Sequence, residues 1–371
     1  MKFYLWSASE IEAVLGKDDS SFFNEIFNIK TIGNYHDEAT SESTGLNILH
    51  LTDSLGKCAV KLDLPEEEVT SLADRSLKAL FAVREKRVRP LRDDKILTDW
   101  NGLMIAALAK GARVLEEPGF ATAAQQAADH ILTARLGEDD LLAHHTDGGR
   151  FSLANDYVFM IWGLLELYES TFYSRYLKTA VRLNNALLDR FWDDNHGGVF
   201  MTPDNGEELL ARRKELQDGS IPAGGSVAML NFLRLARILG SEELEEKAVQ
   251  IGRVVQEPIS QIAAAHTMMM TSLDFAEGPV CEIVVCGDPE AVDTNNMISI
   301  IRNVYIPGKV VVLRPAGEEN PGILEVSPLA ENKTCINGKA TAYICVGRAC
   351  REPITDPDTL RTVLQKITGK N

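Results

Sequence analysis

The stretch KILTDWNGLMIAALAKGARVL, Lys95 to Leu115, decides the fold. A short polar lead carries Asp99, then Trp100 and Asn101 follow, and an almost wholly apolar helical run comes next. The same arrangement returns as LANDYVFMIWGLLELYES (153–170), with Asp156 and Tyr157 at its head. It returns more loosely as QDGSIPAGGSVAMLNFLRLARIL (217–239), with Asp218 just upstream. The recurrence, roughly sixty residues long, fits one helical hairpin with its loops.

The predicted helices alternate in character. The segment from Tyr157 to Tyr168 is apolar nearly all round, as a helix buried on every side must be. The next helix, over 173–192, sets Tyr176, Leu177, Ala180, Leu183, Leu187 and Phe191 on one stripe, with Arg175, Lys178, Arg182 and Asp189 opposite. Apolar Val227 to Leu239 is likewise followed by charged SEELEEKAVQ. Inner helices alternating with outer ones predict a mainly α chain, an incomplete (α/α)6 toroid of helical hairpins. From about 280 the pattern changes. CEIVVCG, KVVVLRP and TAYICVG read as strands between helices, predicting a small C-terminal α/β layer. The expected division is 1–63, loop-rich with short helices, then 64–278, the hairpins, then 279–371, the α/β subdomain. Inner helices are expected to start near Asp99, Asp156, Gly224 and Pro258, and outer ones near Leu64, Phe120, Tyr173 and Ser241. Pro203–Asp204–Asn205–Gly206 between two short apolar runs (197–202 and 208–211) predicts a β-hairpin.

Composition limits the function. The 38 basic and 54 acidic residues give a net charge of −16, which argues against a nucleic-acid or anionic-membrane surface. No apolar run is long enough for a membrane span, and the N-terminus lacks signal-peptide organisation, so a cytoplasmic protein is expected. The six cysteines form no C-x-x-C pair, and all six, Cys345 and Cys350 included, are expected as reduced thiols. Nucleotide-binding glycine motifs are absent, and no cofactor is expected.

In a toroid, the loops at one end of the inner helices converge. Asp99, Asp156 and Asp218 could therefore share one mouth, with Asp99 and Asp156 as an acid/base pair. Trp100, Asn101, Tyr157, Trp192 and Asp218 would line a sugar, aromatic faces stacking on its C–H surface. The competing reading is that each aspartate only caps its helix. Asp93, Asp94 and Lys95 read as a solvated loop, and Arg212, Lys214 and Glu215 as solvated or lining the same mouth. His144–His145 lacks a third ligand or an H-E-x-x-H spacing, so it reads as structural or solvent-exposed, and no metal site is expected.

The chain resembles the C-terminal portion of a family of thioredoxin-domain proteins, the bacterial and animal relatives of spermatogenesis-associated thioredoxin-like protein. The resemblance rests on DDKILTDWNGLMIAALA, KFYLWSASEIEAVLG, NDYVFMIWGLLELYE, FWDDNHGGVFMT, RKELQDGSIPAGGSVAMLNFLRLA and TAYICVGRACREPITDP. It implies a six-hairpin toroid similar to glycosidases and N-acylglucosamine 2-epimerase, and thus carbohydrate chemistry, as a glycoside hydrolase or a sugar epimerase. The sequence departs from the pattern at Leu91, where a histidine is usual, and at Ala223–Gly224–Gly225, which stands for Ser–Gly–Asn. The resemblance also implies a preceding thioredoxin domain and further hairpins. The chain is therefore expected to be a fragment whose open flank is covered by another copy, by that N-terminal segment, or by its own residues 1–60. The alternative function is a non-catalytic helical scaffold associated with a thioredoxin domain.

Overall fold

The computed structural model describes residues 3–37, 40–145, 151–206, 209–317, 321–347 and 349–369. The chain divides into two compact units, Met1–Asp94 and Lys95–Asn371.

The first unit holds β1 (Trp6–Ser7), α1 (Ala8–Leu15), α2 (Lys17–Ile26), β2 (Leu46–Asn47), α3 (Leu55–Leu62) and α4 (Glu66–Arg84). The opening apolar run finds its strand partner downstream, Trp6 opposite Asn47. Ser7 then starts α1 with a complete capping box: its hydroxyl accepts from Glu10 N–H, and the Glu10 carboxylate accepts from Ser7 N–H. Helix α4, expected among the toroid hairpins, packs instead on α1, α2 and α3. Val69, Leu72 and Leu80 go into a core of Trp6, Ile11, Phe23 and Ile26.

The second unit is built from α5 (Thr98–Val114), α6 (Pro118–Arg135), α7 (Ala154–Thr171), α8 (Ser174–Phe191), α9 (Gly224–Leu239), α10 (Glu242–Gln261) and α11 (Thr267–Glu277). Helices α5, α7, α9 and α11 pack side by side in chain order, while α6, α8 and α10 each pack against the inner helix beside them. That is an arc of (α/α) toroid hairpins. Among the described residues it has four inner and three outer helices, because α4 lies in the first unit. Nearly every residue of α7 and α9 is buried, and α8 buries its predicted stripe together with Asn184 and Ala186.

Two predicted boundaries move. Pro258 was expected to open the last inner helix, but it sits in the final turn of α10, and α11 starts at Thr267. Near a helix end the carbonyl that proline leaves unpaired is tolerated more readily than in the interior. The expected β-hairpin at 197–211 is also replaced. Glu208 lies outside the described residues, and among the described residues of this segment the ladder contact is an isolated bridge between Trp192 and Val199. Met201 N–H donates to the Arg213 carbonyl, so the returning chain pairs beyond the predicted second run.

The α/β layer follows: β3 (Cys281–Gly287), α12 (Val292–Asn303), β4 (Lys309–Pro315), β5 (Thr341–Val346), β6 (Ala349–Cys350) and α13 (Pro357–Ile367). The sheet order is β4-β3-β5-β6, with β3 and β4 parallel and the other pairs antiparallel. Period-two alternation divides the strands between two cores. Val284, Cys286, Val310 and Val312 join the helical core, while Ile283, Val285, Val311 and Leu313 meet α12 and α13. The reduced pair expected at Cys345 and Cys350 is a disulfide instead, with Cα atoms 3.9 Å apart. These residues face each other in the β5–β6 register, a proximity that the linear spacing conceals. Cys58, Cys281, Cys286 and Cys335 remain free.

Candidate functional site

Two glycines set the site. A Cβ on Gly102 would lie 2.5 Å from the Phe159 carbonyl carbon, and one on Gly163 would lie 2.8 Å from the Gly102 carbonyl oxygen. Both distances are below any real contact, so only glycine lets α5 and α7 approach this closely. The approach brings their N-terminal turns together, and with them Asp99 and Asp156.

The loop between α6 and α7 supplies the third member. Thr98 N–H donates to the His144 carbonyl, the Thr98 hydroxyl donates to the Ala143 carbonyl at 2.6 Å, and His144 N–H donates to the Phe151 carbonyl. Pinned this way, His144 sets Nδ1 2.8 Å from Asp156 Oδ1 and 4.0 Å from Asp99 Oδ1. Asp156 Oδ2 accepts from Leu153 N–H at 2.8 Å. Asp99 Oδ1 accepts from Trp100 N–H at 2.8 Å. The capping role weighed against catalysis is thus real for Asp156, and it coexists with the histidine contact.

Burial dominates the electrostatics. It pushes the Asp156 carboxyl above the ordinary carboxylate range, against the pull of His144 and the Leu153 N–H. Asp99 is also raised, first by burial and then by the neighbouring Asp156 charge. His144 is raised because its hydrogen bond to Asp156 favours imidazolium. Burial thus shifts both carboxyls toward the protonated form relative to isolated aspartates. Among the described residues, Asp99, His144 and Asp156 also form a group whose ligand atoms all lie within 4.8 Å of one another. They could offer a cation three donors, although Nδ1 is already engaged with Asp156.

The other predicted residues separate by role. Trp100 is 60% exposed directly beside Asp99. The Asn101 amide donates to the Leu97 carbonyl at 2.7 Å. Tyr157 does not face a ligand: it is fully buried, its hydroxyl donating to the Asp140 carbonyl and accepting from Leu142 N–H. Trp192 is a core residue, 6.0 Å from the Phe232 ring centroid and covered by the Lys247 ammonium. Asp218 ties two helix starts together, accepting from Ala223 N–H before α9 and Met268 N–H in α11, each at 2.8 Å. Glu215 reaches α7, accepting from the Asn155 amide at 3.2 Å. His144 is the residue that sequence reasoning set aside. The signal was its place on the connection that enters α7, which must return to the end of the arc where Asp99 lies.

No protein-family model matches the chain. Among solved structures it resembles a family 76 α-mannanase from Bacteroides thetaiotaomicron, 9% identical with TM-score 0.41, over 81% of this chain and 80% of that one. It also resembles cellobiose 2-epimerase from Bacillus thermoamylovorans, 15% identical with TM-score 0.36, over 44% of this chain and 45% of that one. Similarity in sequence is higher: spermatogenesis-associated protein 20 from Rattus norvegicus is 30% identical over 387 aligned residues, and the human protein is 30% identical over 386. Each alignment takes in 98% of this chain and 49% of the relative. The chain is thus similar over nearly its whole length to spermatogenesis-associated protein 20, and it spans about half the length of these relatives.

Proposed function

We propose that the second unit carries out acid–base chemistry on a carbohydrate, with Asp99 and His144 as the proton-exchanging groups and Asp156 holding the imidazole. One observation carries this reading: a buried carboxylate–imidazole–carboxylate cluster, with every carboxyl pKa raised, beside an exposed tryptophan. Groups that titrate near the working pH transfer protons best, and burial moves these carboxyls in that direction. Trp100 offers a flat apolar face for the C–H surface of a sugar ring.

The geometry favours proton transfer at one carbon over glycoside cleavage. A glycosidase sets two carboxylates on either side of the scissile bond, about 5–5.5 Å apart when retaining and about 6.5–9.5 Å when inverting. Here an Asp99 and an Asp156 oxygen lie within 4.8 Å of each other beside one imidazole, and Asp156 has no exposed surface. An epimerase needs only a base to take the proton next to a carbonyl and an acid to return one. From the family resemblance of its motifs we further propose that this unit works together with a thioredoxin domain.

The experiment is incubation of the chain with a panel of aldoses, ketoses, N-acylhexosamines and short oligosaccharides in D2O, read by mass spectrometry and chromatography. Deuterium entering a sugar without a change in chain length supports epimerisation. Shortened oligosaccharides would move the reading to hydrolysis. No turnover and no binding across the panel would favour the scaffold.

A further inference from the structure

A cavity of about 540 Å3 opens between the C-terminal halves of α5, α7 and α9, the helix α11 and the α/β layer. Its lining residues nearest the cluster, Lys110 on α5 and Trp162 on α7, lie eleven and six residues beyond Asp99 and Asp156, roughly 17 and 9 Å along the helices at 1.5 Å per residue. Its size falls in the range of small-molecule sites, about 300–1,000 Å3.

The charges on its wall do not cancel. Arg113 and Arg234 are each paired with both Glu166 and Glu169, the Arg234 bonds measuring 2.8 and 2.9 Å. These four form a closed, neutral square. Two more cations line the cavity outside it. Arg302 donates to the carbonyls of Glu169 and Ser170 at the end of α7. Lys309 donates to the carbonyls of Ile301 and Val304 at the end of α12. Among the described residues, neither meets a carboxylate within ion-pair distance. Asp274 is the remaining acid of the wall, and Lys110 stands exposed on the rim. Nε of both Arg113 and Arg302 is buried with no hydrogen-bond acceptor.

We infer that this cavity binds a small organic anion, a carboxylate or phosphate monoester, with its charged group at Arg302 and Lys309 and its apolar body against Trp162, Phe172 and Phe275. A helix C-terminus attracts a cation, but its carbonyls neutralise only part of a full charge. An anion would supply the charge that Arg302 and Lys309 lack. Burial and mutual repulsion corroborate the placement. Burial first, then the Arg113 charge, holds Arg302 down to about 10, and burial lowers Lys309 as well.

The test is titration of the full chain, at constant ionic strength, with phenyl phosphate, benzoate, inorganic phosphate and phenol, read by calorimetry and thermal shift. The expected result is saturable binding of phenyl phosphate or benzoate, weaker binding of inorganic phosphate, and none of phenol. Arg302→Gln should weaken the preferred anion about tenfold or more, the loss of one charge-assisted contact. If that variant fails to fold, Thr271→Trp answers the same question, because Thr271 is an exposed residue of α11 on the cavity wall and an indole there fills the space. Asp274→Asn should tighten binding, since it removes the opposing charge. Absence of saturable binding by either organic anion would overturn the inference. So would binding that survives both Arg302→Gln and Thr271→Trp. Sugar turnover at Asp99 plays no part in any of these readouts.

Discussion

His144 Nδ1 stands 2.8 Å from Asp156 Oδ1, and the backbone at each end of this contact is tied down. Thr98 N–H holds the His144 carbonyl, and Asp156 returns a bond to Leu153 N–H at the start of α7. The pair is therefore a fixed part of the junction between two inner helices. Its consequences can be tested one at a time.

Asp99→Asn should abolish sugar turnover with little loss of stability. Asparagine keeps the acceptor for Trp100 N–H but cannot exchange a proton. Asp156→Asn should lose turnover and also about 1–3 kcal/mol of stability, because its buried oxygens serve His144 and Leu153 together. Urea unfolding beside the activity assay separates the two effects. Undiminished turnover in Asp99→Asn would remove it from the chemistry.

Gly102→Ala should be more damaging than its size suggests. The added methyl meets the Phe159 backbone at 2.5 Å, which cannot move as a side-chain tip can. Overpacking of this kind costs about 1–3 kcal/mol, and pushing α5 from α7 parts Asp99 from Asp156. Thermal unfolding should show a lower Tm, with turnover lost even in the folded fraction.

The pH dependence has a definite sign. His144 has its folded pKa raised by Asp156, so its stabilising contribution is complete below the unfolded histidine value of about 6.5 and disappears as pH rises through the folded pKa. Asp99 and Asp156, also raised, contribute in the same direction, starting from the unfolded carboxyl value of about 4. Stability measured from about pH 6 to 8 should therefore fall more steeply in the wild type than in His144→Gln. Parallel curves would mean that the imidazole does not take up a proton on folding.

Arg234→Met should destabilise the chain by about 3–5 kcal/mol, because it leaves Glu166 and Glu169 buried with half their counter-charge. Burial alone would raise Glu166, but Arg234 and Arg113 outweigh it and bring the carboxyl to about 2. The stability it contributes is present above the ordinary carboxyl pKa and is lost as pH falls. Acid unfolding monitored by circular dichroism should thus begin at higher pH in the variant.

Much of this fold is legible in the sequence, because hydrophobic period and helix burial are the same fact. The apolar run of α7 and the stripe of α8 announce inner and outer positions directly. Asp99 and Asp156 are legible too, as paired heads of inner helices. What is hidden depends on distance in space. Leu64–Lys86 has the length and pattern of a toroid helix, and only tertiary packing assigns α4 to the first unit. Tyr157 follows Asp156 in sequence, yet one residue of helix turns it about 100° toward the α6–α7 loop. His144 is visible only as half of a dipeptide until the loop brings it between two carboxylates. Cys345 and Cys350 need a strand register to become partners.

The most direct test of the central claim is an NMR titration of the His144 side chain in the intact chain, with the sugar that the panel selects. A ligand held between Trp100 and the Asp99–His144–Asp156 cluster should shift the His144 ring resonances saturably and move their apparent pKa. Asp99→Asn should retain binding while losing turnover. A sugar that binds or turns over while the His144 resonances and titration stay unchanged would place the chemistry elsewhere and contradict this account.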